Sequence, residues 1–265
     1  RGQVELGRDD PSGRISNSMR DQPTNSSTGL WACWNPILMH SGAWSERRLR
    51  WTLFAPFAVA MPAAYYLIVH WAGSRDYVAW DPTLPVDRLL PAVPLAIIPY
   101  LTHFLYYPAT VFRSPEGASG TRALVGLLQT MIWVALISFA IFLLLPAKVD
   151  LRDQLEAPLR SCSPILRAIF ARLHVTDPPY NAWPSLHVSH TLLAVLYMQH
   201  SQPRRPLRVL LWFAWGLLAV SILLTKQHLV FDAVTGITLG ACAWHWGAKP
   251  FCGPKAGHLP PTPVA

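Results

Sequence analysis

Two short stretches of the chain place polar, titratable side chains at the start of long apolar runs. In the first, NAWPSLHVSHTLL, residues Ser185, His187 and His190 occupy the first turns of a predicted helix. In the second, TKQHLVFDAVTG, His228 and Asp232 are four residues apart, which places both side chains on one helical face. Titratable groups are costly at membrane depth, so this position favours a functional role.

The pair formed by His228 and Asp232 predicts an oriented imidazole. An aspartate one turn from a histidine can accept the Nδ1 proton of that ring and so fix its tautomer. Nε2 of His228 then carries a lone pair and can act as a nucleophile or as a base. The alternative interpretation is a satisfied polar pair that only ties two helices together, and both interpretations stay open for this pair alone.

The segment around His187 has the features of an anion site. Pro184 suits the first turn of a helix, and the free backbone N–H groups there, with the Ser185 hydroxyl, can bind a phosphate. His187 could then protonate the departing oxygen. Cations on the same predicted side could neutralise the phosphate oxygens without a metal. They are Lys148, Arg152 and Lys226.

A metal site is the competing functional hypothesis for the histidines. His187 and His190 are three residues apart and share a helical face, and His228 could complete a set of ligands. The carboxylate spacing of a zinc enzyme does not accompany them, so we expect neither a metal nor another cofactor. His190 alone is most simply interpreted as a hydrogen-bonded histidine of the core.

The elements that must position these residues are those of a membrane protein. Hydrophobic residues make up 52% of the 265 positions and charged residues only 14%, against about 25% charged residues in soluble domains. A bilayer-spanning helix needs about 17–25 residues. The sequence therefore predicts an all-α, polytopic bundle of six transmembrane helices. The six apolar runs are Trp51–Trp71, Leu89–Val111, Ala123–Leu145, Ser185–Met198, Leu207–Leu224 and His228–Trp246.

Three regions follow from the composition along the chain. Residues 1–46 comprise a predicted disordered tail, which is too poor in large apolar residues to fold, and a Trp-rich interfacial segment. Residues 47–248 form the predicted membrane domain, and residues 249–265 form a Pro/Gly-rich tail. Between the third and fourth apolar runs, Ser163–Leu173 has helical periodicity and predicts either an interfacial helix or a helix packed on the bundle.

The distribution of Lys and Arg predicts the orientation in the membrane. Positive residues near helix ends favour the cytoplasmic side, and with six spans most loop cations fall on one side. This predicts cytoplasmic termini and polar motifs at the non-cytoplasmic (periplasmic, extracellular or lumenal) face. The basic residues are spread between apolar runs and form no single patch, so we expect no nucleic-acid partner. The residues on the cytoplasmic side are Arg47, Arg48, Arg50, Arg113, Arg122, Arg204, Arg205, Arg208, Lys249 and Lys255.

Both polar stretches resemble signature motifs of the type-2 phosphatidic acid phosphatase superfamily. The second and third family motifs are usually written P-S-G-H and S-R-x5-H-x3-D. The matching residues are Pro184, Ser185, Leu186 and His187, then Ser221, His228 and Asp232. Leucine in place of the motif glycine, together with K-Q-H-x-V-x-D, is closer to the branch that contains inositol phosphorylceramide synthases of sphingolipid metabolism and their bacterial relatives.

The chain departs from the family pattern where cations are expected. The first motif, K-x6-R-P, has no faithful copy, because Leu155 stands at the arginine position that follows Lys148. In the third motif Ile222 replaces the arginine after Ser221, which leaves Lys226 as the nearest cation.

The resemblance implies a metal-independent lipid phosphatase or phosphotransferase in the membrane. It implies that His228 is the nucleophile that forms a phosphohistidine, that Asp232 orients it, that His187 is the general acid and that Ser185 binds phosphate. The expected partners are a lipid phosphate, the bilayer and an alcohol or lipid acceptor if the enzyme transfers a headgroup. Two other classes stay open, a non-catalytic scaffold and a transporter, although a transporter predicts broken helices in two matching repeats.

Overall fold

A computed structural model of the chain describes residues 29–39, 43–75, 79–180, 182–201 and 204–253. In these ranges the regular secondary structure is helical, apart from an isolated β-bridge between Trp80 and Ala147. Most of the predicted N-terminal and C-terminal tails lie outside the described residues. The α-helices are α1 (Asn35–Leu38), α2 (Glu46–Ser74), α3 (Pro85–Leu89), α4 (Ile97–Leu101), α5 (His103–Arg113), α6 (Gly117–Leu144), α7 (Glu156–Arg160), α8 (Pro164–Thr176), α9 (Leu186–Ser201), α10 (Arg205–Leu224) and α11 (Val230–Ala243).

Four helical segments are long and apolar enough to cross a membrane, and they coincide with the first, second, third and fifth predicted runs. Their outer faces carry large apolar side chains such as Val59 and Phe213, which are 73% and 63% exposed. Apolar surface of this extent marks contact with a membrane or a partner. The all-α membrane protein predicted from the composition is therefore confirmed. The segments are Glu46–Ser74, Pro94–Arg113, Gly117–Leu144 and Arg205–Leu224.

Prolines divide the second of these segments into short pieces. A 3-10 turn at Pro94–Ala96 leads into α4, and Thr102 separates α4 from α5. In contrast, α2 continues through Pro56 and Pro62 without interruption. A proline removes a backbone donor and clashes with the preceding turn, so the chain bends where several lie close together.

The two helices that follow the polar stretches are shorter than the four spans. α9 has 16 residues and α11 has 14, so α9 is about 24 Å long at the usual rise per residue. α9 contacts α5, α6, α10 and α11, and most of its residues are buried. Its polar first turns therefore face protein, which satisfies the requirement that backbone and polar groups avoid lipid.

Two glycines allow α11 to approach α9 closely. A Cβ atom added at Gly236 would lie 2.7 Å from the carbonyl oxygen of Ser185, and one at Gly240 would lie 3.0 Å from that of Ser189. Both distances are shorter than ordinary van der Waals contact, so any larger side chain would separate the helices. The G-x-x-x-G spacing predicts a close helix–helix face, and the structure confirms that this face lies inside the bundle.

The end of the bundle opposite the polar stretches gathers several basic residues. Arg50 donates to the carbonyl of Ser114 over 3.0 Å, and the Ser201 hydroxyl donates to the carbonyl of Arg113 over 3.4 Å. The Arg122 guanidinium lies 5.8 Å from the ring centroid of Phe251. These contacts join loops that are far apart in the sequence at one end of the helices.

The predicted amphipathic helix is present as α8. Ser163 caps it by accepting a hydrogen bond from the backbone N–H of Leu166 over 3.3 Å. Phe170 is its buried residue, whereas Ile165 and Val175 are 75% and 60% exposed. α8 thus rests on the bundle by one edge and leaves an apolar face uncovered, on the same end as the polar stretches.

Candidate active site

The two polar stretches meet at the first turns of α9 and α11. Nδ1 of His187 lies 3.0 Å from Nε2 of His228, although the residues are 41 positions apart. Close packing of α9 on α11 through Gly236 brings the two rings together. His228 is 3% exposed, so its imidazole is held among protein groups on most sides.

Asp232 orients the ring of His228 from one helical turn away. Its Oδ2 lies 3.4 Å from Nδ1 of His228 and also accepts the backbone N–H of Leu229 over 2.8 Å. The carbonyl of Ala182 lies 3.1 Å from the same Nδ1. Because both neighbours of Nδ1 only accept hydrogen bonds, Nδ1 must carry the proton. In the neutral ring, Nε2 therefore has the lone pair.

This tautomer also fixes the direction of the contact between the histidines. The lone pair on Nε2 of His228 faces Nδ1 of His187, so the hydrogen between them belongs to His187. His187 thus presents an N–H toward the lone pair of His228.

Ser185 lies against the first turn of α11. Its backbone N–H donates to the carbonyl of Asp232 over 3.2 Å, and its hydroxyl oxygen accepts the N–H of Val188 over 3.4 Å. The residue is fully buried. It therefore joins the start of α9 to the helix that carries Asp232, beside the two histidines.

The three predicted phosphate-binding cations have different surroundings. Arg152 donates to the carbonyl of Asp177 over 2.7 Å and to Oε1 of Gln227 over 3.0 Å. Its guanidinium therefore contacts the residue that directly precedes His228. Burial lowers the pKa of its guanidinium, and the Asp177 carboxylate opposes that effect. Lys148 forms an ion pair with Asp150, with 3.2 Å between nitrogen and oxygen.

Lys226 is held by backbone carbonyls of a distant part of the chain. It has a left-handed backbone with a φ of 53° in the turn between α10 and α11. Its ammonium donates to the carbonyls of Asp87 and Leu90, over 2.8 Å in each case. These bonds fasten the turn to the chain that leads into α4, so the observed contacts of Lys226 are structural.

Sequence reasoning missed a group of residues that surrounds His187. The hydroxyl of Tyr100 lies 3.1 Å from Nε2 of His187, and the ring of His103 stands edge-on to it with 4.7 Å between centroids. Asp177 accepts a 2.7 Å hydrogen bond from the Tyr65 hydroxyl nearby. The spacing of Tyr100 and His103, two polar residues inside an apolar run, was the signal that could have identified them.

A cavity of about 500 Å³ opens beside His187. Apolar and aromatic side chains of α2 and α5, among them Phe57 and Phe104, form most of its wall. Tyr66 and Phe104 line the cavity and are also 45% and 60% exposed, so it reaches the surface between these two helices. Asp177, the residue that follows α8, supplies a polar group to the same wall.

His190 has hydrogen-bond partners outside the histidine pair. Its Nε2 donates to the carbonyl of Met131 over 3.0 Å, and its Nδ1 lies 3.3 Å from the hydroxyl of Tyr107. This is the hydrogen-bonded core histidine that the sequence suggested. Among the described residues, no group of three or more His, Cys, Asp or Glu side chains is arranged to hold a metal ion.

The comparison with known families matches the region that builds this site. A family model described as the PAP2 superfamily matches residues 91–246, which is more than half of the chain. The matched range includes α4, both histidines and Asp232. No curated protein and no solved structure gives a significant match.

Proposed function

The chain belongs to the PAP2 superfamily, and we propose that it cleaves a lipid phosphate ester through a phosphohistidine at His228. Membership of the family supports phosphoric-ester chemistry in a membrane protein. The observation that carries the specific proposal is the 3.0 Å contact between Nδ1 of His187 and Nε2 of His228. It places a lone pair and a proton donor next to each other, and in our proposal the two rings separate to admit a phosphoryl group.

The first chemical step is an in-line displacement at phosphorus. Nε2 of His228 forms a bond to phosphorus while the ester P–O bond breaks, and a doubly protonated His187 gives the departing oxygen a proton and becomes neutral. The His228 ring gains positive charge as this bond forms. Asp232 stabilises that charge because its carboxylate is fully buried, where the attraction is stronger than in water.

The acceptor in the second step decides between hydrolysis and transfer. If the acceptor is water, the enzyme is a lipid phosphatase, and His187 takes a proton from the water molecule while that water attacks phosphorus. An alcohol acceptor gives a phosphotransferase, and transfer is the second candidate. It is favoured by Leu186, the residue typical of inositol phosphorylceramide synthases at this motif position, whose side chain lines the cavity.

The cavity beside His187 supports a lipid substrate. An aromatic and apolar wall fits a hydrocarbon chain and offers few polar partners to a sugar or a nucleotide. Because the cavity reaches the outer surface between α2 and α5, a lipid can present its phosphate to the histidines while its chain stays in apolar surroundings. Arg152 and Ser185 are our candidates for binding the phosphate oxygens, with Lys148 and Lys226 as weaker candidates.

We further propose six spans, with the shorter helices α9 and α11 as the fourth and the sixth, and termini in the cytoplasm. The basic end of the bundle would then face the cytoplasm and the histidines the other side. A membrane-impermeant maleimide tests this in intact cells. In a chain that keeps only Cys162, between α7 and α8, labelling is expected. In a chain whose only cysteine is Glu116→Cys, at the basic end, labelling is expected only after the cells are opened.

The activity itself is tested with purified protein and a panel of lipid phosphates, with and without alcohol acceptors. His228→Ala should abolish phosphate release and transfer. His200→Ala is the matched control, because His200 lies at the other end of α9, where its Nε2 donates to the carbonyl of Gly253. Equal turnover by wild type and His228→Ala would support a non-catalytic scaffold or a transporter instead.

A further inference from the structure

The cavity beside His187 extends along α2 toward the basic end of the bundle. On that helix its lining residues run from Tyr66 to Phe54, a distance of about 18 Å along the axis. The Tyr65 hydroxyl bonds to Asp177, which lines the cavity together with His187, whereas Phe54 lies nearer the start of α2. The cavity is therefore deeper than a phosphate group requires, and its length along α2 exceeds half of the about 30 Å hydrocarbon core of a bilayer.

Four aromatic rings form the inner end of this cavity, the end that lies away from His187. The ring centroid of Phe57 lies 6.1 Å from that of Phe54, 6.1 Å from that of Tyr107 and 6.5 Å from that of His190. All four residues line the cavity. Leu53, one turn further along α2, is fully buried and lies outside the wall. Packed side chains therefore follow directly beyond these rings.

The polar atoms at the inner end already have partners within the protein. Nε2 of His190 donates to the carbonyl of Met131 over 3.0 Å, which leaves Nδ1 of that ring as an acceptor. The hydroxyl of Tyr107 lies 3.3 Å from this Nδ1 and can donate to it. The inner end consequently presents mainly aromatic carbon, which suits a hydrocarbon better than a polar headgroup.

The cavity is open on its membrane side between α2 and α5. Ala58 and Pro62 of α2 line the cavity and are exposed, as is Phe104 of α5. A hydrocarbon chain can therefore enter sideways while its phosphate approaches the histidines. Ala58 follows Phe57 on the side toward the site, so a larger side chain at position 58 would fill the cavity before its inner end.

We propose that the cavity receives the hydrocarbon chain of the lipid phosphate, and that Phe57 limits the length of chain that it accepts. The inference rests on the proposed function, because the position of the chain is set by a phosphate held at His187 and His228. A chain that is too short leaves part of the apolar wall without contacts. A chain that is too long meets the four rings and must bend or leave the cavity.

The test is a series of single-chain alkyl phosphates, from hexyl to hexadecyl phosphate, each at the same mole fraction in detergent micelles. Every chain then leaves similar apolar surroundings, so differences in kcat/KM report how well it fits the cavity. The wild type should prefer an intermediate chain length. Phe57→Ala should move this preference to longer chains, because it removes a ring from the inner end.

Ala58→Phe shortens the cavity instead of extending it. Its loss in kcat/KM should grow with chain length, from the smallest effect on hexyl phosphate to about fivefold or more on the chain that the wild type prefers, as expected for an overpacked position. Val59→Phe is the matched control. Val59 is the next residue of α2, is 73% exposed and lies outside the cavity wall, so its variant should keep the wild-type profile.

Thermal unfolding in detergent identifies the variants that fold, and Ala58→Phe decides the question if Phe57→Ala does not fold. Equal cleavage of every chain length by the wild type would overturn the inference and leave the histidine mechanism intact. A loss in Ala58→Phe that is absent, or equal at every length, would do the same. A wild type that releases phosphate from none of the esters would instead overturn the proposed function.

Discussion

Replacement of Gly236 by alanine should misalign the two histidines by moving the helices that carry them, although Gly236 is not itself a reacting group. The added Cβ would lie 2.7 Å from the carbonyl oxygen of Ser185, whereas ordinary contact begins at 3.4 Å. The oxygen belongs to the backbone and cannot swing aside. α9 and α11 must therefore separate by about 0.7 Å at this level, next to the contact between His187 and His228.

The effects on stability and on activity should differ in size. Overpacking of this kind costs about 1–3 kcal/mol, but alanine is favoured over glycine in a helix by about 1 kcal/mol. The free energy of unfolding should therefore fall by only about 0–2 kcal/mol. Activity should fall more than about tenfold, since a displacement of about 1 Å in a catalytic group can cost about 10²-fold.

Two further glycines make the prediction a graded series. Gly240→Ala would place Cβ at 3.0 Å from the Ser189 carbonyl oxygen, so it should cause a smaller loss. Gly216→Ala in α10 meets nothing within 4 Å and should leave activity unchanged. The assay is lipid phosphate turnover, with thermal unfolding in detergent measured on the same samples. Wild-type activity in Gly236→Ala would refute the reasoning that close packing of α9 on α11 aligns the histidines.

Three further variants test single contacts. Asp232→Asn should lower kcat by about 10²–10⁴-fold yet fold normally, because the amide oxygen can still accept the N–H of Leu229; an unchanged kcat would contradict the assigned role. Asp87→Ala should lower the free energy of unfolding by about 1–2 kcal/mol, since Asp87 accepts the N–H of Val230 at the start of α11 over 2.7 Å. Denaturant titration measures this loss, and equal stability would disprove it. Burial lowers the pKa of His174 from 6.5 to about 4, so the unfolded chain binds a proton that the folded chain excludes, and stability should fall as the pH drops from 6.5 to about 4. In His174→Gln, the melting temperature should therefore depend less on pH across that range. The same dependence of melting temperature on pH in both proteins would argue against the effect.

The features that the sequence predicts correctly depend on nearby residues. Hydropathy runs depend on about twenty consecutive side chains, and four of the six predicted runs coincide with helices able to span a membrane. The spacing of His228 and Asp232 is likewise local. Hydropathy does not distinguish a lipid-facing helix from an inner one, and it did not show that protein surrounds most of α9. The fourth and sixth runs correspond to α9 and α11, which have 16 and 14 residues and are shorter than the other four.

The features that were missed depend on the tertiary fold. Tyr100 lies 87 positions before His187, and their contact requires the proline-broken segment to pack beside α9. Lys226 is a candidate phosphate ligand in the sequence because it is the nearest cation in the third motif. The structure adds that a left-handed turn directs its ammonium to backbone carbonyls, and neither composition nor spacing reveals such a turn.

The most direct test of the central claim is capture of the covalent intermediate. Purified protein is mixed with a lipid phosphate labelled at phosphorus, quenched in alkali within one turnover, digested and analysed by mass spectrometry. The account predicts an alkali-stable, acid-labile phosphate on His228 in the wild type and none in His228→Ala. An active wild type that carries no phosphate, or carries it on another residue, would contradict it.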